Sequence, residues 1–179
     1  MGHYGVYLNG THFNLIVEGN RFFNAVQVNE EPRVGLIARN LGYSGDQTIY
    51  RNEFEGCPFG CRFLDVNRQV NQGLRFSCHN FINCIFAVDI TSSPNYLYSP
   101  NNVGVAIAQG SQTTPTGNSF TWTGADILPM LPNQIWRQLN ASANHLYYYS
   151  DLENLNLAEM NINTITSNPS ASNKWSSNN

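Results

Sequence analysis

The four cysteines are the first residues whose types and spacing could do chemistry. They fall into two close pairs, Cys57/Cys61 and Cys78/Cys84. Structural zinc sites place two to four residues between ligand cysteines, and Cys57-Pro-Phe-Gly-Cys61 meets that spacing loosely. Cys78 to Cys84 is wider and reads as a strand or hairpin. Disulfides or inert buried thiols are therefore the expectation, with three connectivities open, and no metal or cofactor is expected. An arginine beside a thiol lowers its pKa, so Arg62 next to Cys61 raises the idea of an activated thiol, and pairing of the cysteines is the stronger reading.

The histidines, His3, His12, His79 and His145, lie far apart in sequence. His12 falls opposite the apolar positions of an alternating stretch, which reads as a solvent-side strand residue. Glu53 and Glu55 alternate beside Arg51. Glycosidases place two carboxylates across a cleft, whereas acids at i and i+2 on one strand describe a solvated strand face. Neither a Gly-x-Ser-x-Gly elbow, nor a phosphate-cradling loop, nor a His-Glu-x-x-His pair occurs. The chain is accordingly read as a non-enzyme.

Composition narrows the partners. Of the 179 residues, 41% are hydrophobic and only 12% charged, and the net charge is −3. Lys174 is the sole lysine and the arginines are scattered, so the clustered cations that neutralise phosphates are missing and nucleic acid is excluded. No apolar run reaches the length of a membrane-spanning helix, which excludes insertion by that route. Two sequons, Asn9-Gly10-Thr11 and Asn140-Ala141-Ser142, mark Asn9 and Asn140 as glycosylation candidates. They favour an extracellular or cell- or virion-surface location. Met1–Leu8 lacks the features of a signal peptide, which leaves a cytoplasmic protein with leaderless export as the other reading.

The elements that must position these residues read as short strands between Gly, Asn and Pro. The strands expected are His12–Glu18, Phe22–Val28, Val34–Ala38, Thr48–Tyr50, Leu74–Cys78, Ile85–Ile90, Val103–Ala108 and Phe120–Thr123. Gln134–Leu139 reads as a helical turn, and Leu146–Tyr149 and Leu155–Ile165 as closing strands, the last with a short helix as its alternative. Gly19-Asn20 has the composition of a turn. Such spacing points to a sandwich or barrel. No internal repeat is visible. Residues 1–166 form a single domain, 167–179 a Ser/Asn-rich tail, and 91–133 an insertion or long connection.

The order of segments from Thr11 to Gly60 resembles the first half of a galectin. His12–Gly19 and Arg21–Val28 resemble its opening strand pair. Val34–Tyr43 resembles the strand carrying His-x-Asn-x-Arg, Thr48–Asn52 resembles the following Val-x-Asn strand, and Gly56–Gly60 sits at the Trp-Gly turn. His145–Tyr149, Leu155–Leu157 and Ile162 resemble the closing strands. The family's His is Ala38 here, its Arg is Gly42 and its Trp is Phe59.

The resemblance implies an all-β, two-sheet antiparallel sandwich, a galectin-like jelly roll. It implies a lectin that binds a neutral glycan or glycoprotein with altered specificity. Asn40 and Asn52 would meet sugar hydroxyls and Phe59 would stack on the ring, with Arg39, Arg51 and Arg62 alongside. The alternative is a structural or self-assembling coat, matrix or storage subunit without enzymatic activity, suggested by low charge, Asn richness and the tail bearing Trp175. Low net charge favours self-association, so a homo-oligomer is compatible with either reading.

Overall fold

The computed structural model describes residues 3–10, 14–24, 33–41, 47–69, 72–91, 104–106, 108–111, 116–121, 134–139, 146–148, 160–161 and 174–175, the last four segments as backbone only. The chain winds in coils, each contributing short strands to separate sheets. The first coil holds β1 (Tyr4–Asn9), β2 (Ile16–Glu18) and β3 (Arg21–Phe23), and the second β4 (Val34–Arg39), β5 (Thr48–Tyr50) and β6 (Glu53–Glu55). The third holds β7 (Phe59–Leu64), a small hairpin of β8 (Arg68–Gln69) and β9 (Gln72–Gly73), then β10 (Arg75–Ser77) and β11 (Asn80–Ile82). The fourth holds β12 (Phe86–Thr91), β13 (Ala108–Gln109) and β14 (Ser119–Thr121). Beyond them lie β15 (Gln134–Leu139), β16 (Leu146–Tyr148), β17 (Met160–Asn161) and β18 (Lys174–Trp175).

Strands of successive coils stack in parallel. One sheet runs β1-β4-β7-β12-β15-β17, a second β10-β5-β2 and a third β14-β11-β6-β3. All pairs in these three sheets are parallel. Among the described residues only β8–β9 and β16–β18 pair antiparallel. The architecture is a parallel β-solenoid.

The galectin-like antiparallel sandwich is therefore wrong, and with it the lectin assignment that rested on it. The opening "strand pair" shows why. β2 and β3 do not pair with each other. Each pairs with the strand one coil later, Ile16 with Thr48 and Arg21 with Glu53. Gly19, at φ +70°, turns the chain from one sheet into the next, and left-handed backbone is available to glycine at little cost. The same corner recurs at Arg51 (φ +51°), Cys78 (φ +57°) and Gly117 (φ +66°).

The chain also has the internal repeat that its sequence conceals. Four coils carry an Asn or His, one spacer and a Phe: Asn20-x-Phe22, Asn52-x-Phe54, His79-x-Phe81 and Asn118-x-Phe120. The phenylalanines stack inside the solenoid. Ring centroids lie 4.9 Å apart for Phe22–Phe54, 5.1 Å for Phe54–Phe81 and 5.3 Å for Phe81–Phe120, with rings within 11° of parallel. Aromatic pairs of this kind add about 0.5–1.5 kcal/mol beyond their burial. Glycines seat the rings. A Cβ on Gly35 would lie 2.5 Å from Cδ1 of Phe54, and one on Gly60 would lie 2.8 Å from Cδ1 of Phe81.

The corner residues form a second ladder. The backbone N–H of Asn20 donates to Asn52 Oδ1 (2.9 Å), that of Asn52 to His79 Nδ1 (3.0 Å), and that of His79 to Asn118 Oδ1 (2.8 Å). These bonds satisfy backbone donors where the sheets change direction. Leu36, Ile49, Phe63, Leu74, Phe76 and Ile90 complete the buried core.

Other expectations shift with the topology. Gln134–Leu139 is a parallel strand against β12, not a helical turn. The expected connection at 91–133 contains β14, whose Phe120 carries the aromatic stack into the fourth coil. Within the expected tail, Lys174–Trp175 pairs with β16. Of the expected strand Leu155–Ile165, Met160–Asn161 is described and is a strand, and the rest lies outside the described residues, as do His12, Val103 and His145.

Candidate assembly interface

The six residues expected to hold a sugar are dispersed over the scaffold. Asn52 is buried in the corner ladder, and its Nδ2 donates to the Val17 carbonyl. Asn40 occupies a left-handed turn after β4 (φ +55°), and its Oδ1 accepts the Val66 N–H at 3.4 Å. Phe59 opens β7, stacked on Phe86 at 5.0 Å with the Arg62 guanidinium 4.9 Å from its ring centre. Val34 is the register partner of Phe59, so Asn40 and Phe59 sit at opposite ends of the strands, about 20 Å apart at ~3.3 Å per residue.

The arginines serve the scaffold too. Arg39 Nε pairs with the fully buried Asp65 at 2.7 Å and Arg62 Nε with the fully buried Asp89 at 2.8 Å. Arg51 lies over the Tyr50 ring. Glu53 and Glu55 flank buried Phe54 and both pair with Arg21 of the first coil, at 2.7 and 2.6 Å.

The cysteines carry free thiols in this structure. Cys57, Cys61 and Cys84 are buried; Cys57 Sγ donates to the Phe22 carbonyl and Cys84 Sγ to the Phe54 carbonyl. Burial pushes the Cys57 thiol up to about 12 and those of Cys61 and Cys84 well above the usual range. Cys78 is exposed at its corner. No group of three or more His, Cys, Asp or Glu side chains among the described residues could hold a metal. Of the sequon residues, Asn9 is exposed at the end of β1, and Asn140 lies outside the described residues.

One region stands out by its surface. Tyr4, Tyr7, Ile16 and Phe23 are 53%, 39%, 66% and 62% exposed, and they are the exposed large hydrophobics of the described chain. All four belong to the first coil. In the next coil the register partners of Ile16 and Phe23 are Thr48 and Glu55, so apolar side chains stand where the neighbouring coil is polar. β1, β2 and β3 are the edge strands of their sheets among the described residues, and edge strands offer backbone groups to a further strand.

A cleft of about 380 Å³ opens at the same end, lined by Tyr4, Gly5, Arg21, Phe22, Phe23 and Cys57 among others. Its lining continues onto Arg33, Val34 and Gly35 at the start of the second coil. The Asn20 amide group donates to Asn52 Oδ1 and the Glu18 carbonyl. Sequence reasoning misses this surface because Ile16 and Phe23 fall in short alternating runs that look like ordinary strands. Only an alignment of Asn20-x-Phe22 with Asn52-x-Phe54 exposes the polar-to-apolar change.

No family model, curated protein or solved structure matches this chain.

Proposed function

We propose that this protein is a structural, self-associating subunit without catalytic activity, and that the first coil is its assembly surface. The observation that carries this reading is the concentration of exposed Tyr4, Tyr7, Ile16 and Phe23 on the first coil, whose three strands are all sheet edges among the described residues. The groups first weighed for chemistry support a structural role as well. Asp65 and Asp89 are buried against arginines, His79 belongs to the corner ladder, and three thiols are buried. Low net charge weakens the repulsion that keeps subunits apart.

Sedimentation velocity over a range of concentrations tests the proposal. The wild-type protein is expected to associate, and the double variant Ile16→Lys/Phe23→Lys to sediment as a monomer with unchanged far-UV circular dichroism. A wild-type protein that stays monomeric throughout overturns it.

A further inference from the structure

We infer that the corner of the third coil is an acid-operated latch: protonation of His79 releases its ring from the corner and frees the Asn52 N–H, while the sheets on either side stay paired. The inference is independent of the self-association proposed above.

Three corner bonds join successive coils, and they differ in the acceptor. The Asn20 N–H meets Asn52 Oδ1 at 2.9 Å, and the His79 N–H meets Asn118 Oδ1 at 2.8 Å. Between them the Asn52 N–H meets His79 Nδ1 at 3.0 Å. An amide oxygen accepts in acid as it does at neutrality. An imidazole nitrogen accepts only while the ring is neutral, because both nitrogens of the cation are donors. A proton on His79 therefore sets two N–H groups against each other across the middle bond, and leaves the other two corners as they were.

Nothing around the ring compensates the charge. The imidazole stands edge-on to Phe54 and Phe81 and flat against Phe76, with centroids 5.7, 5.8 and 6.3 Å away. The Phe76 face lies beyond the ~6 Å at which a ring holds a cation well. Facing His79 from the elements packed on it are Ile49 of β5, Asn52 and Phe54 at β6, Phe76 of β10, Phe81 of β11 and Asn118 before β14, none of them charged. Glu53 and Glu55, on either side of Phe54, are engaged by Arg21. His79 is 1% exposed, and its Nε2 has no partner of good geometry.

Water lies one residue away. Cys78 is exposed and left-handed at φ +57°, so the chain reaches the surface immediately before the buried ring. The bonds that flank the latch do not involve the imidazole. The Arg51 N–H donates to the Ser77 carbonyl and the Asn80 N–H to the Asn52 carbonyl. They hold the second and third coils together while the ring turns out. Burial pushes the His79 pKa down from 6.5 to about 4. Between those values a solvated ring holds a proton that the buried ring refuses, so acid favours the open corner.

Amide hydrogen exchange, read residue by residue by NMR on the unmodified protein at pH 7 and 4.5 and divided by intrinsic rates, tests the latch. Protection of the Asn52 N–H is expected to fall roughly 10- to 100-fold at pH 4.5. Protection of the Asn20 and Asn80 N–H groups, whose acceptors do not titrate in this range, is expected to change by less than about threefold, as for a local opening. In His79→Asn the Asn52 N–H is expected to lose its pH response. An equal fall at all three amides overturns the latch, because the opening is then global. Unchanged protection of Asn52 in the wild-type protein, or an acid response that persists in His79→Asn, overturns it as well.

Discussion

The Nδ1 atom of His79 accepts the backbone N–H of Asn52 at 3.0 Å in the corner where the other coils place asparagine. The imidazole packs among Phe54, Phe76 and Phe81, and its Nε2 makes no hydrogen bond of good geometry. An acceptor Nδ1 fixes the neutral ring with its proton on Nε2. A cation there would lose its hydration without gaining a partner. Burial therefore drives the His79 pKa down to about 4.

Acid sensitivity is the consequence of that depression. Between pH 6.5 and about 4 the unfolded chain binds a proton at His79 that the folded chain refuses. The stabilising effect is fully present above the unfolded value and is lost as pH falls through this window, by about 3 kcal/mol at most. The urea midpoint is expected to be lower at pH 4.5 than at pH 7. His79→Asn restores the corner residue of the other coils and keeps an acceptor for the Asn52 N–H, so it is expected to flatten this window. An unchanged pH slope in His79→Asn would sink the assignment.

The glycine seats make a steric prediction. A Cβ at Gly35 would approach Cδ1 of Phe54 to 2.5 Å and the Gly60 carbonyl oxygen to 2.8 Å. One of these neighbours is backbone and the other is clamped between Phe22 and Phe81, so neither yields easily. Gly35→Ala is expected to cost about 1–3 kcal/mol as overpacking, and Phe54→Ala about 3–5 kcal/mol as a cavity. Thermal unfolding monitored by circular dichroism reads both. A Gly35→Ala protein as stable as wild type would mean that the ring stack is looser than its geometry.

The all-β class is legible in the sequence, and the winding is hidden there. Alternation locates Thr48–Tyr50 to the residue and Val34–Ala38 to within one, because it reports a strand whichever way its partner runs. Parallel and antiparallel partners differ only in the path the chain takes after the turn. Gly19-Asn20 reads as a hairpin turn by composition, yet the left-handed Gly19 followed by Asn20 with its backbone N–H on Asn52 Oδ1 is a corner between sheets. The repeat is obscured because its period drifts. Arg21 pairs with Glu53, Glu53 with Asn80 and Asn80 with Ser119, offsets of 32, 27 and 39 residues. Loops absorb the difference while the Asn-x-Phe corner stays fixed, with His79 in place of one Asn. Asn52 is a special position, and what its amide does in the structure is hold a corner together. The apolar first coil is illegible without the register, because only the comparison of Ile16 with Thr48 and Phe23 with Glu55 shows a surface that has lost its polar cover.

The thiols provide the last test, since they report burial directly. Nucleophilic attack needs the thiolate and access for the reagent. Cys61 is fully buried, Cys57 and Cys84 nearly so, and burial holds all three thiols in the protonated form at neutral pH. Cys78 lies exposed at the corner between β10 and β11. Titration of the native protein with an aromatic disulfide reagent at pH 7.5 is expected to release about one equivalent quickly, and all four only after denaturation. Cys78→Ser should abolish the fast phase and leave the slow one. Two or more fast equivalents would show that the solenoid interior is open to solvent near Cys57. None before denaturation, and none afterwards without a reductant, would show that the cysteines are oxidised in pairs, which would require the strands carrying Cys57, Cys61 and Cys84 to repack.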